Sequence, residues 1–379
     1  MVDFAARLIR TPSQGGVDSP RAVLELAARE LGALGLRPAL LANDEGQPVA
    51  LAAEVAGARA GPTWVLDACI DTAPVGDRAA WSIDPFAGLV RDGWLWGRGA
   101  ADSKIGVATM ALLGAAMAKQ RDRLAGTLVV LFDADEHTGR FGGIKRFMRD
   151  GRSIAGVMIG YPENDAVFIG ARGFWRAEIE AYGRAEHSGA TGTTPCNAAV
   201  KLAALIGRLA GAPLPAASDP GFPLPPKLTV TAIGGGEGFS VVPDAARLKL
   251  DVRLTPAFGK REAESLVRAQ VEAIDAAHPA PRPSRISLVD SWGPYRLDDG
   301  EPLARAVLAG ARTAKGVPVS GDVCGPSNIA NFLADLGVPA TCGFGVTCHG
   351  VHGADERAEI ATVPLAWTAY GEAVLALMR

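Results

Sequence analysis

No C-x-x-C spacing occurs among the five cysteines of this 379-residue chain, Cys69, Cys196, Cys324, Cys342 and Cys348. Their odd number and their scatter exclude a disulfide frame and a zinc ribbon. An excess of positive charge is lacking too: 38 Lys and Arg stand against 41 Asp and Glu, for a net charge of -3. That balance gives no basic field for nucleic acid or an anionic membrane surface, so any anionic partner is a small ligand met by a few local Arg residues. Long apolar runs are also missing. The longest strongly apolar stretch, 107–118, is broken by Thr109 and Gly114 and falls short of the ~18–20 residues of a membrane span; it reads as a buried helix. Near the N-terminus Asp3, Arg7 and Arg10 interrupt any apolar leader before the Thr-Pro-Ser turn at 11–13, which predicts a cytoplasmic protein without membrane contact.

What is present fits an ordinary globular protein of about two domains at ~100–200 residues each, with 48% hydrophobic and 21% charged residues and many turns from 46 Gly and 26 Pro. From residue 20 to 172 helix and strand patterns alternate. Apolar runs at 49–55, 63–70, 127–132 and 156–159 read as strands, and 20–34, 102–117 and 142–148 as helices. This predicts a mainly parallel sheet with helices on both faces, whose site lies on loops beyond the strand C-termini. After Gly173 the texture changes. Strand patterns at 174–182, 227–233 and 246–254 and helix patterns at 196–209 and 261–277 predict an inserted α+β module, with a Pro-rich surface loop at 213–226. His278-Pro-Ala-Pro-Arg-Pro reads as the linker back, and alternation resumes from about Ile286 to a C-terminal helix over 364–378. The expected division is 1–172 with 286–379, interrupted by 173–285.

Candidate chemistry lies in turns after the apolar strands. Cys69-Ile-Asp71-Thr-Ala-Pro74 ends one strand, with Asp67, Cys69 and Asp71 on one face. Gly97-Arg-Gly-Ala-Ala-Asp102-Ser-Lys104-Ile-Gly106 is a Gly-rich turn carrying a lone carboxylate into a helix. Asp135-Glu136-His137-Thr-Gly139, just after Asp133, sets two acids and a His at a strand-to-helix turn, and Gly350-Val-His352-Gly-Ala-Asp355-Glu356 repeats that arrangement.

In their order and spacing these segments resemble the zinc-dependent amidohydrolases and exopeptidases that include acetylornithine deacetylase, succinyl-diaminopimelate desuccinylase, aminoacylase and bacterial glutamate carboxypeptidase. Trp81 to Phe86 (W-x-x-D-P-F), Ala185-Glu-His187-Ser, Ser240-Val-Val-Pro-Asp244 and Asp251-Val-Arg253 extend the resemblance over nearly the whole chain. It implies a catalytic α/β domain interrupted by a smaller lid through which the chain forms a homodimer. It also implies a small-molecule substrate and a divalent metal, zinc first, with Mn, Co or Fe as alternatives. Residue by residue, Asp102 matches a metal-bridging carboxylate, Glu136 the general base and His352 a metal ligand. His187 matches the lid histidine that stabilises the oxyanion. Arg253 and Arg172 match positions that grip a substrate carboxylate, to which Ser240 and Asn328 are added as substrate contacts. Asp71 matches the residue that orients a ligand His.

Three positions depart from that pattern. Cys69 stands where the family has a His ligand, His137 where it has the second Glu of an acidic pair, and Tyr161 where a strand-end acid binds the other metal. Cys69, Asp102 and Tyr161 form a poor set for a divalent ion. Asp102, His137 and His352 form a competent one for Zn, Mn or Fe(II). The expectation is therefore a metal-dependent hydrolase of an amide in a small carboxylate-bearing substrate, such as an N-acyl amino acid or dipeptide, with one ion per subunit. Three alternatives stand beside it. They are a dinuclear site completed by Cys69 with Glu163 or Asp165, hydrolytic deamination of a non-peptide substrate, and a binding protein with a dead site. His278, His349, Cys342, Cys348, Trp94 and Trp96 read as structural or solvated, and Ser327 as a substrate contact or helix cap.

Overall fold

The apolar strand patterns assemble into a six-stranded sheet in the order Pro38–Ala42, Pro48–Ala56, Ala125–Asp133, Arg59–Cys69, Gly156–Ile159, Ala340–Thr341. The computed structural model describes residues 1–191, 196–217 and 219–379; Ser218, in the Pro-rich loop, lies outside them. The three pairings around the last four strands are parallel, and the first two strands add antiparallel pairings at the other edge. Two compact units result, Met1–Gly170 with Leu297–Cys324 and Asn328–Arg379, and Ala171–Arg296 with Gly325–Ser327.

In the first unit, the strand Arg59–Cys69 alternates its faces. Leu66, Ala68 and Ile70 enter the main apolar core, together with the helix Ile105–Ala118, which is buried over most of its length as its composition predicts. The longest apolar helical stretch is at the other end of the chain, however. Ile360–Leu377 has a mean hydropathy of 1.3 over 18 residues, enough by length and composition for a membrane span. Its Ala369, Tyr370, Ala373 and Val374 are fully buried in the same core.

Asp67, Cys69 and Asp71 point to the opposite face of that strand, and Asp67 is fully buried with no hydrogen-bond partner on either carboxylate oxygen. Burial, with the nearby Glu136 charge adding to it, pushes its carboxyl up to about 8. The folded chain thus holds a proton that the unfolded chain releases above about 4, so this residue's effect on stability worsens as pH climbs from about 4 to 8 and is constant beyond. At about 1.4 kcal/mol per pH unit the loss is on the order of a few kcal/mol. Asp67→Asn is expected to flatten that slope; denaturant melts at pH 5 and pH 8 check it, and parallel curves for both proteins would show that Asp67 does not titrate this way.

The second unit is a four-stranded antiparallel sheet, in the order Lys227–Gly235, Ala245–Leu254, Gly173–Tyr182, Arg285–Trp292. One face, with Ala177, Ile179, Leu248, Leu250 and Val252, packs under the helices Ala198–Ala210 and Lys260–Ala277. Ala263, Val267, Val271 and Ile274 of the second helix are buried at the expected spacing. The sequence reading ended this module at 285. The strand Arg285–Trp292 instead pairs with Gly173–Tyr182 and extends the unit to Arg296, so the Pro-rich segment after His278 is a connection within the module.

Candidate active site

Two neighbouring parallel strands bring the first half of the site together. Cys69 lies opposite Asp133 in the sheet, so the turn holding Asp71 and the turn holding Glu136 and His137 leave the same sheet end. Asp71 joins them: its Oδ1 accepts the Glu136 N–H at 3.2 Å and its Oδ2 the His137 N–H at 2.9 Å. Asp102 occupies an irregular turn over Ala100–Lys104, ahead of the helix. Gly99 opens this turn at φ +80°, and a Cβ there would stand 2.5 Å from Thr72 Cγ2, so only glycine fits.

Asp102 is the centre of the group. Its Oδ2 lies 3.1 Å from His352 Nε2 and 3.5 Å from His137 Nε2. One ligand atom from each of these three residues falls within 4.8 Å of the others. The His137 side chain is 3% exposed, and neither ring nitrogen has a hydrogen-bond partner. Its Nδ1 stands 3.4 Å from both Asp71 Oδ1 and Glu136 Oε2. Buried polar atoms without partners are costly, and a divalent cation between Asp102, His137 and His352 would satisfy the Nε2 atom. The residues fit such an ion, and the His352 side chain, 58% exposed, leaves one side of the group open to solvent.

The electrostatics follow from burial and proximity. Burial opposes the charge on Asp102, but the His137 and His352 imidazoles outweigh it and hold the carboxyl well below the usual range. Burial also opposes a charge on His137, yet Asp71, Cys69 and Glu136 around it raise its imidazole well above the ordinary value. Burial pushes Glu136 up to about 7, with Asp102 and Asp71 adding to the shift and His137 opposing it.

The other two departures are placed differently. Cys69 is fully buried, its Sγ 3.6 Å from Asp102 Oδ1 and 3.3 Å from Ser103 Oγ. Burial and the Asp102 charge push its thiol well above the ordinary value, so it is a hydrogen-bonding neighbour of Asp102 in its protonated form. Cys69 also lies within reach of Asp71 and His137, but both Asp71 oxygens already accept main-chain N–H groups. Burial and the Glu136 charge likewise hold the Tyr161 phenol well above its usual value. Glu163 and Asp165 are not in either ligand group found among the described residues. Asp165 is fully exposed beside Lys315, and the Glu163 main chain binds Val346 and Gly345.

In the second unit, the sheet face away from the helices carries opposite charges across strands, Arg176 facing Asp251 and Lys249 facing Glu178. Arg172, Arg176, Lys227, Lys249 and Arg253 line a cavity of about 590 Å³ there. Asp251 binds Arg176 Nε and Arg253 Nε at 2.8 Å each. Arg253 Nη1 donates to Ser327 Oγ at 3.3 Å, and Arg172 Nε donates to the Gly325 carbonyl at 3.0 Å. Beside Arg172 and Arg253, which the sequence motifs single out, Arg176, Lys227 and Lys249 line this cavity, and their only sequence signal is the period-two spacing along these strands. His187 is exposed and accepts the Gly189 N–H at Nδ1, and Ser240 is an exposed loop residue. Ser327 is no helix cap: Asn328 caps Ile329–Asp335. Asn328 is 5% exposed, with Oδ1 in that cap and Nδ2 donating to Cys324 Sγ at 3.8 Å.

Two charged residues in the motifs had been given no role. Arg98 and Glu356 are each 1% exposed and form an ion pair at 2.6 Å beneath the Asp102 turn.

Residues 65–376 match the profile of peptidase family M20/M25/M40. The chain belongs to that family. A succinyl-diaminopimelate desuccinylase of Paracoccus denitrificans (strain Pd 1222) is 29% identical over 375 residues, which cover 93% of this chain and 92% of the relative. Among solved structures, human carnosine dipeptidase 1 superposes with a TM-score of 0.80 at 19% identity, over 99% of this chain and 95% of the other. A Bacillus subtilis protein described as a dinuclear metal binding peptidase from the M20 family gives 0.69 at 16% identity, over 99% and 96%. This M20 chain is therefore a hydrolytic enzyme of metal-dependent amide chemistry acting on small molecules, and the dead-site alternative falls away.

Proposed function

We propose that this M20 chain hydrolyses the amide bond of a small carboxylate-bearing substrate, such as an N-acyl amino acid or dipeptide, with one divalent ion per subunit. The observation that carries the reading is the placement of Asp102 between two imidazoles, one of them buried with unpartnered nitrogens, beside a Glu136 whose carboxyl is pushed up to about 7. Asp102, His137 and His352 would hold the ion, zinc first, with Mn, Co or Fe as alternatives. When bound, the ion supplies a Lewis acid that polarises the carbonyl and lowers the pKa of the attacking water. Glu136 takes a proton from that water as its oxygen adds to the carbonyl carbon. It returns the proton to the amide nitrogen as the C–N bond breaks, giving a carboxylic acid and an amine, and the acid's remaining proton passes to the amine or to solvent. Asp71 positions Glu136 through the main-chain N–H groups of 136 and 137.

Arg253 and Arg172 grip the substrate carboxylate, a task suited to planar guanidinium groups, with Ser240 as a further contact. His187 stabilises the oxyanion, acting in a homodimer formed through the second unit.

Elemental analysis of protein purified without chelator, followed by Zn and Mn titration against a panel of N-acyl amino acids, tests the reading. One ion per chain with turnover of the panel is the expected result. Two ions would restore a role for Cys69 as a ligand, and no ion with no turnover at any loading would remove the reading. Turnover confined to the release of ammonia from a non-peptide substrate would favour deamination.

A further inference from the structure

The Arg98–Glu356 pair touches none of the atoms assigned to chemistry, yet its hydrogen bonds reach three of the turns that carry them. Glu356 Oε2 accepts from Arg98 Nη1 at 2.6 Å and from the Gly99 N–H at 3.0 Å. Its Oε1 accepts the N–H groups of Ala101 at 3.0 Å and of Asp102 itself at 3.1 Å. Arg98 Nη2 donates to the Pro74 carbonyl at 3.0 Å, closing the Asp71 turn, and to the Gly353 carbonyl at 2.9 Å, the residue after His352. The Trp81 ring lies 5.2 Å from the guanidinium carbon and covers it. Four donors meet the Glu356 carboxylate, so it is not a free base or ligand.

We propose that Arg98 and Glu356 are positioning residues that preset the distance between Asp102 and His352 for the ion. Without Glu356, three buried N–H groups of the Asp102 turn lose their acceptor, and the turn must rearrange to find water or another partner. Without the Arg98 fork, the His352 turn is no longer tied to the Asp71 turn. The exposed His352 side chain gains its position from its main chain, and Gly353 is where the clamp holds that main chain. The energy of a buried ion pair goes largely to offset its own desolvation, so the gain here is geometry more than stability. Supporting hydrogen bonds of this kind commonly change metal affinity about 10–100-fold when removed.

This inference rests on the proposed metal site, and the test separates the two. Glu356→Gln and Arg98→Lys are compared with the wild type and with Lys201→Met, which breaks the buried Lys201–Asp275 pair of the second unit. The readouts are the zinc Kd by competition with a chromophoric chelator, the ion count, and the circular dichroism melt without metal. Both clamp variants are expected to bind zinc about 10–100-fold more weakly with an unchanged count, while Lys201→Met melts earlier and keeps the wild-type Kd. If Glu356→Gln does not fold, Arg98→Lys, which keeps the charge, still decides. A wild-type Kd in the folded clamp variants, or an equal loss in Lys201→Met, overturns the positioning role and leaves the metal site standing. A wild-type chain that binds no ion removes both.

Discussion

Glu136→Gln is expected to lower kcat by about 10²–10⁴-fold, the usual worth of a positioned general base, with ion count and melting curve close to wild type. The glutamine is nearly isosteric. It can still occupy the buried site beside His137 and Tyr161, and the Asp71 bonds are to the main chain of 136, so they survive the change. What it cannot do is carry a proton from water to the departing nitrogen. A carboxyl at about 7 is well matched to that transfer near neutral pH, because its basic form is populated and its conjugate acid still gives up the proton readily. Steady-state kinetics on the zinc-loaded protein with the best substrate of the N-acyl panel measure the effect. A fall in kcat at unchanged KM supports the role; turnover near wild type would assign the base elsewhere.

The second large effect concerns the ion. His137→Ala should weaken zinc binding by more than about 100-fold, beyond the 10–100-fold typical of losing a supporting hydrogen bond. Cys69→Ala should change it by only a few-fold. The contrast follows from reach. His137 has both nitrogens buried without partners and Nε2 at 3.5 Å from the Asp102 oxygen that also meets His352. Cys69 instead places its Sγ 3.6 Å from the other Asp102 oxygen, Oδ1, and 3.3 Å from Ser103 Oγ. Chelator competition on the two variants checks the pair of expectations. Equal losses in both would place the ion in the Cys69, Asp71 and His137 group instead.

Much of the fold was legible because its signals are local. Runs such as 127–132, apolar after its first residue, and 156–159 became buried strands of the central sheet. The strand Arg285–Trp292 was assigned to the wrong unit because its half-exposed alternation follows a Pro-rich segment that looks like a boundary. The site residues Asp102, Glu136, His137 and His352 were visible as acids and imidazoles in turns after strands. Their supports were not. Arg98 and Glu356 are 258 positions apart, and each sits among glycines and charges that would suit a solvated turn; only chain closure buries both. Asp67 was correctly placed on the face of Cys69 and Asp71, but its lack of a partner depends on what the other strands bring beside it. Asn328 is the reverse case, since Asn-x-x-Asn is a capping pattern readable from the sequence alone.

The grip of Asp71 on this site has an evolutionary side. It holds positions 136 and 137 by their amides, which every residue but proline possesses. Those two amide bonds do not depend on which side chain stands at 137, so an exchange there between glutamate, aspartate and histidine alters the donor offered to an ion, and the charge beside Glu136, while the main-chain anchoring remains. Divergence in metal preference could accumulate at that one codon while the proton-transfer machinery beside it stays in place. For the same reason position 137 is a natural target for saturation libraries that seek a new metal dependence without rebuilding the turn.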